Sequence, residues 1–391
     1  MKIKLSKNLI FILFLLIPFF KPIGLSYFTI INNSFKVWKL IAMIIIMYII
    51  VKKLLKNKKV IIDKNFLGLF LFWLIYLINC LINKTDYTTV LSNAISIFLI
   101  FEFIHYECEI KKGNELLNAL EILFTIYLIL QIISVFYINI THRAIFEPIY
   151  NDYIYFLGTD NYSAFQIIPM LTIIIYNNAL RKEILCFKNI FLLIMVIICN
   201  IFTKSYTAIF ASVILFVIII LNKKIKNILN FFSIKKIIFI YCLLLILILG
   251  FNIQYIFANL LENQIEKGVS LNSRTIIWKN SLELIKTKIL FGYGTLSNDM
   301  IKSYVLYGAG HAHNFLLELL LRTGIVGTIS YIVFLLKTIS KDLLSNESKI
   351  LYGGLLVFLI LSFMDFYPEI LYLYLLIGIM YYWKKFKIKE N

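Results

Sequence analysis

The sequence predicts an all-α, polytopic membrane protein, and three observations carry that prediction. The 391-residue chain is 61% hydrophobic and 15% charged, with a mean hydropathy of +0.87, whereas a soluble domain is about half apolar. Apolar runs such as IAMIIIMYIIV (41–51) and LLLILILGF (243–251) recur along the whole length. With its flanks, each approaches the ~20 residues that a spanning helix needs. The alternating short segments of a β-barrel are not seen.

In chain order the expected spans are 8–20, 37–52, 66–83, 88–104, 116–138, 162–180, 186–203, 206–222, 236–256, 315–337, 350–364 and 369–383. That makes about 12 transmembrane helices in a single integral membrane domain, 1–391. The opening MKIKLSKNLIFILFLLIPFF imitates a secretory signal. No small-residue cleavage site follows and more spans do, so it reads as an uncleaved first helix. With the N-terminus placed in the cytoplasm, about two thirds of the 39 basic residues fall on the inner side, and the C-terminus is cytoplasmic too. The +18 net charge therefore mostly reports topology. The basic runs are short and sit between spans, which argues against a nucleic-acid partner.

The five cysteines form no C-x-x-C pair and none lies in the longest polar connection, so neither a disulfide framework nor a zinc site is suggested. That connection, 257–314, is one large loop on the extracytoplasmic side. Connections of this length are functional or disordered. Trp278 and the spacing of Ile276, Ile277, Leu282, Leu284 and Ile285 predict an ordered, partly helical segment.

The scarce polar chemistry gathers at GHAHNFLLELLLRTG (310–324). Two of the four histidines, His311 and His313, sit there, followed by Asn314, Glu318 and Arg322 at helical spacing. If the helix starts at 313, the last three share one stripe, with His313 about 100° round from Asn314. A polar stripe entering a membrane needs a cavity or a partner. Glu318 stands four residues before Arg322, the favourable order for an ion pair. The two either neutralise each other or face a substrate. Gly324 and Gly327 are expected to admit a neighbouring helix. The glycines of 292/294 and 308/310 bracket a flexible approach to the histidines. Near its ordinary pKa of about 6.5 a histidine is a suitable general base. His-x-His also offers two metal ligands, but no third stands nearby in sequence, so no metal and no other cofactor is expected.

Arg274, in NSRTIIWKN, is either a phosphate-binding guanidinium or an ordinary loop cation. FEPIYNDYIYFLGTDNYSAF (146–165) is rich in tyrosine, suiting sugar rings or an interfacial belt. Arg143, His142 and Lys204 belong to the same face. The phosphate loop, the H-E-x-x-H motif and a D-x-D metal motif are all missing. Catalysis is thus expected to be metal-independent acid–base work on an activated substrate.

These pieces, in this order, resemble the O-antigen polymerase and O-antigen ligase family of bacterial envelope proteins. The resemblance rests on FLGTDNYSA (156–164), TKSYTA (203–208), SRTIIW (273–278), FGYG (291–294) and HNFLLELLLRTGIVG (313–327), and covers about 150–336. It implies a C-type glycosyltransferase-like membrane fold in the bacterial inner membrane. It also implies an undecaprenyl-pyrophosphate-linked oligosaccharide as donor, membrane lipid around it, and a flippase and a chain-length regulator as partners. Carried over by position, His313 is the base for the acceptor hydroxyl, with Asn314 its motif partner and His311 beside it. Arg274 holds the pyrophosphate. Family members often carry Ser-Arg where this chain has Ser205-Tyr206; Lys204, Arg143 or Arg322 then supplies the second cation. The expected function is a polysaccharide polymerase that joins lipid-linked repeat units. The alternatives are a ligase acting on a finished glycan, and a flippase or transporter.

Overall fold

Ser6 opens the first helix: its Oγ accepts from the Leu9 amide (3.0 Å), satisfying one of the donors that a helix start leaves orphaned. In the computed structural model, residues 6–57, 64–146, 153–221, 235–240, 242–243, 268–296, 299, 311–339 and 347–386 are described, and the account is confined to them. The helices are α1 (Lys7–Leu16), α2 (Thr29–Asn57), α3 (Leu67–Ile82), α4 (Tyr87–Glu109), α5 (Gly113–Thr141), α6 (Asp160–Leu180), α7 (Phe187–Phe202), α8 (Tyr206–Ile220), α9 (Gly268–Thr287), α10 (Phe315–Thr338), α11 (Ser348–Ser362) and α12 (Leu371–Tyr381). Among the described residues the fold is all-helical. Five helices are long and apolar enough to cross a membrane, and several shorter apolar helices accompany them.

Each expected span coincides with a helix except 236–256, which lies mostly outside the described residues. The largest boundary error is at α2, expected from 37 but helical from Thr29. Asn32, Asn33, Ser34 and Lys36 lower the local hydropathy without breaking the helix. Tight turns follow, several with a lysine in the left-handed region after the helix end, namely Lys84, Lys111, Lys182 and Lys204 (φ between 53 and 63°). That position usually takes glycine.

α6 is buried along almost its whole length and packs against α5 and α11. α2 is peripheral and keeps Val37, Leu40, Ile41 and Ile44 exposed. An apolar outward face of this kind suits lipid as solvent. At one end of the α5–α6–α7 group, Glu121 is nearly fully buried and paired with Arg181 (3.1 Å), and also with Lys188. Buried charges are tolerated when paired in this way.

α3 runs along α10. Gly68 permits this, because a Cβ there would stand 2.6 Å from the Ser330 carbonyl oxygen. α10 is broken at Gly324 (φ 62°, ψ −167°). The FGYG segment is laced to both sides of the break. Tyr293 N–H donates to Leu321 O (2.7 Å), Gly294 N–H to Arg322 O (3.0 Å), and Ile325 N–H to Ile289 O (2.9 Å). Asn79 of α3 donates to Phe291 O and, at 3.1 Å, to Arg322 O. The close neighbour that Gly324 admits is thus the 290–291 backbone rather than a helix, and Gly327 faces Thr323 of its own helix. Gly292 and Gly294 are docked, not a flexible approach; Gly308 and Gly310 lie outside the described residues.

Candidate functional site

The turn before α10 is built by its own polar residues. Asn314 takes an extended backbone and caps the helix, its Oδ1 accepting from Leu316 N (3.0 Å) and Leu317 N (3.3 Å). Its Nδ2 donates to Phe363 O (3.1 Å), and the residue is fully buried. The Asn314 side chain is thereby committed to structure. Helical phase does not extend to His313, which adopts a left-handed backbone (φ 51°); the expected wheel position fails because the cap breaks the helix one residue later.

Glu318 and Arg322 do pair, Glu318 Oε1 accepting from Arg322 Nε. Glu318 Oε2 accepts from Ala312 N–H (2.6 Å), so this carboxylate holds the His-Ala-His turn in place. Arg322 is only 8% exposed and also donates to Tyr76 and to Glu369 Oε1 (2.5 Å). Nε and Nη1 of the guanidinium are engaged by these three partners. A buried guanidinium is stable only when its donors are met.

Sequence reasoning missed the centre of the site, Asp365, in the short α11–α12 connection. Its Oδ1 lies 3.3 Å from His311 Nδ1 and 3.4 Å from His313 Nδ1. Oδ1 also accepts from Phe366 N–H (3.1 Å), and Oδ2 from Tyr367 OH (3.2 Å). Burial opposes charge on Asp365, but the His313 contact, both imidazoles and Arg274 outweigh it and hold the carboxyl below its usual range. Burial pushes His311 down to about 4, against the pull of Asp365 and with the help of His313 and Arg322. His311 is therefore a neutral ring at pH 7.

The proton pattern separates the two histidines. His311 Nδ1 accepts from His313 N–H (3.3 Å), so its proton sits on Nε2. His313 Nδ1 makes no hydrogen bond of good geometry, and of the two rings it is the one free to present an Nδ1–H to Asp365. The tautomer is assigned from these contacts, and it leaves His313 Nε2 as the basic atom. His313 is also the more exposed ring, 23% against 14% for His311.

α9 brings Arg274 to this place. Trp278, one turn further along, packs edge-on against Phe363 (5.8 Å between centroids), which sets α9 beside the α11–α12 connection. From there Arg274 acts on the Asp365 charge. The tyrosine-rich and TKSYTA segments join through Asn161, whose Oδ1 accepts from Ser205 Oγ (2.7 Å). The next residue, Tyr162, packs on Tyr367 (4.8 Å), and Tyr367 on His311 (4.6 Å). Lys204 sits in the α7–α8 turn. Arg143 is exposed beyond the end of α5. The described residues thus unite His311, His313 and Asp365, with Arg322 and Glu318 behind them and α9, the helix of Arg274, alongside.

Residues 190–332 match the O-antigen ligase family model. The matched stretch carries Lys204, Arg274, His311, His313, Glu318 and Arg322, and it bears out the resemblance read from the sequence. Tyr162, Asp365 and Glu369 fall outside it. No curated protein and no solved structure matches the chain.

The centre also has a ligand set. His311, His313 and Asp365 each offer one atom, and the three lie within 4.8 Å of one another. The third ligand that sequence spacing did not show is Asp365, brought in by tertiary packing. Two imidazoles and a carboxylate suit a divalent cation as well as a proton relay.

Proposed function

We propose that this protein is a polysaccharide polymerase, joining undecaprenyl-pyrophosphate-linked repeat units into a surface glycan at the extracytoplasmic face of the inner membrane. The chain spans the membrane about twelve times with both termini inside, so that the α11–α12 connection, α9 and the His-Ala-His turn meet outside. The observation that carries the reading is the Asp365–His313 contact beside Arg274, inside and next to a stretch of O-antigen ligase type.

The acceptor hydroxyl gives its proton to His313 Nε2. Its oxygen forms a bond to the anomeric carbon of the donor sugar as the bond from that carbon to the pyrophosphate oxygen breaks. The leaving group keeps the electron pair, and Arg274 neutralises the charge that develops on it. Asp365 fixes the ring and stabilises the imidazolium, as a carboxylate behind a catalytic histidine does. The activated donor supplies the driving force, and no metal takes part. A flippase delivers the units and a chain-length regulator sets their number.

The description of the matching family favours one second reading, a ligase that moves a finished glycan to a surface acceptor. A gel of surface glycan from a deletion strain, complemented with wild type, His313→Ala or Arg274→Ala, separates the readings. Loss of the long ladder while single units are still delivered is the polymerase result. Long chains left on the lipid carrier give the ligase. A full ladder from His313→Ala at normal protein level removes the base.

A further inference from the structure

A cavity of about 130 Å³ lies among α2, α4, α6 and the connections before α2 and α12, lined by Lys21, Lys39, Asn93, Tyr162, Gln166 and Glu369 together with apolar side chains. Lys39 sits about three turns inside α2. An ionised lysine at such depth is costly unless it faces a cavity and meets an opposite charge. Among the described residues, no carboxylate stands in ion-pair range of Lys21 or Lys39. Glu369 is the one carboxylate lining the cavity, and it is already held by Arg322 and Tyr76. Lys21 Nζ donates to Asn32 Oδ1 (2.5 Å), and Lys39 Nζ stands 5.9 Å from the Phe19 ring centroid. Two cations share one polar cavity with no anion of their own.

The cavity's position matters as much as its charge. Tyr162 forms part of its wall and packs on Tyr367, which packs on His311. Two aromatic rings, Tyr162 and Tyr367, thus link the cavity wall to His311. On its other side α2 exposes Val37, Leu40, Ile41 and Ile44, so the molecule that brings the anion there has an apolar part that dissolves in lipid. We propose that this cavity binds the phosphate group of a lipid-linked glycan, with Lys21 and Lys39 taking its oxygens. The proposal rests on the polymerase reading for the glycan. It supplies a cation site that the Ser205-Tyr206 departure leaves open, from a part of the chain that carries no family motif.

The test is the affinity of the purified full-length protein for farnesyl diphosphate, measured by thermophoresis. The pair Lys21→Gln with Lys39→Gln is expected to bind about tenfold more weakly or worse, the loss of at least one charge-assisted contact. Lys21→Arg with Lys39→Arg keeps the charge and is expected to bind as wild type, as is Lys56→Gln, an exposed lysine at the far end of the same helix. Unchanged affinity in the glutamine pair overturns the proposal. Inorganic diphosphate binding as tightly as farnesyl diphosphate overturns the lipid assignment. The glycan ladder keeps the two readings apart. A normal ladder and normal binding in the glutamine pair, with the ladder lost in His313→Ala, removes this site and leaves the reaction standing. Lost binding in the glutamine pair, with a full ladder from His313→Ala, keeps the phosphate site and removes the reaction.

Discussion

Asp365 Oδ1 lies 3.4 Å from His313 Nδ1, across the gap between the α11–α12 connection and the start of α10. With the proton assigned to His313 Nδ1, facing Asp365, Nε2 is the basic atom. Asp365→Asn keeps the shape but can present a donor where His313 needs an acceptor. It is expected to lower polymer formation about a hundredfold or more while the protein still purifies as wild type. Turnover of a lipid-linked donor by the purified variant checks this, and a near-normal rate would detach Asp365 from the chemistry.

Arg322 predicts a different kind of loss. Arg322→Met leaves Glu318 and Glu369 without their shared partner, and breaking a buried pair from one side costs about 3–5 kcal/mol. The expected result is a lower unfolding temperature and poor yield, with any surviving protein still binding farnesyl diphosphate. A well-folded but inactive variant would instead return Arg322 to the substrate.

Gly324→Ala attacks the break in α10. A Cβ there would run into the backbone of Leu290 and Phe291, in a conformation that only glycine adopts without strain. The FGYG segment is then expected to come off the helix, with increased amide exchange at 289–294 and loss of activity. Unaltered exchange would show that the lacing tolerates a side chain.

The pH dependence of stability follows from His311. Its pKa falls from 6.5 to about 4 on folding, so between these values the unfolded chain binds more protons. Stability from this residue is complete above pH 6.5 and is lost as pH falls towards about 4, on the order of 3 kcal/mol in all. Asp365, held low in the folded state, adds a further loss at still lower pH. In His311→Asn the decline in unfolding temperature between about pH 7 and pH 4.5 is expected to be shallower than in wild type. Parallel curves would remove His311 from the acid response.

The ligand set at the same place predicts the response to chelation. With His313 acting as a base, purified protein treated with EDTA is expected to keep its rate. Activity lost to EDTA and restored by one divalent cation would make His311, His313 and Asp365 a metal centre instead.

Much of this fold was legible because spanning helices announce themselves by composition, and α3, α6 and α10 fall close to their expected bounds. The His-Ala-His turn was visible through scarcity, as two of four histidines in an apolar chain. Asp365 was not visible. It lies in FMDFYPE, where a carboxylate between two apolar runs reads as an ordinary turn residue, and tertiary contacts such as Asn314–Phe363, Trp278–Phe363 and Phe315–Phe366 bring that turn to the histidines. A search for isolated acids in short connections between spans would have raised both Asp365 and Glu369. The partners of Arg322 were hidden for a related reason. Spacing shows that Glu318 can reach it, but not that Tyr76 arrives from α3 and Glu369 from the α11–α12 connection.

The acid behind His313 belongs to the α11–α12 connection, beyond the 190–332 stretch that matches the family model. In the proposed reaction the working unit is therefore larger than the matched stretch. A chimera that transplants 190–332 into another scaffold would carry the proposed base without Asp365, and would need residues up to Glu369 to hold both. The same boundary leaves the terminal hairpin free to diverge in sequence provided that one oxygen returns to the same point. Relatives compared only within the module would then look catalytically alike while orienting their histidines by different means.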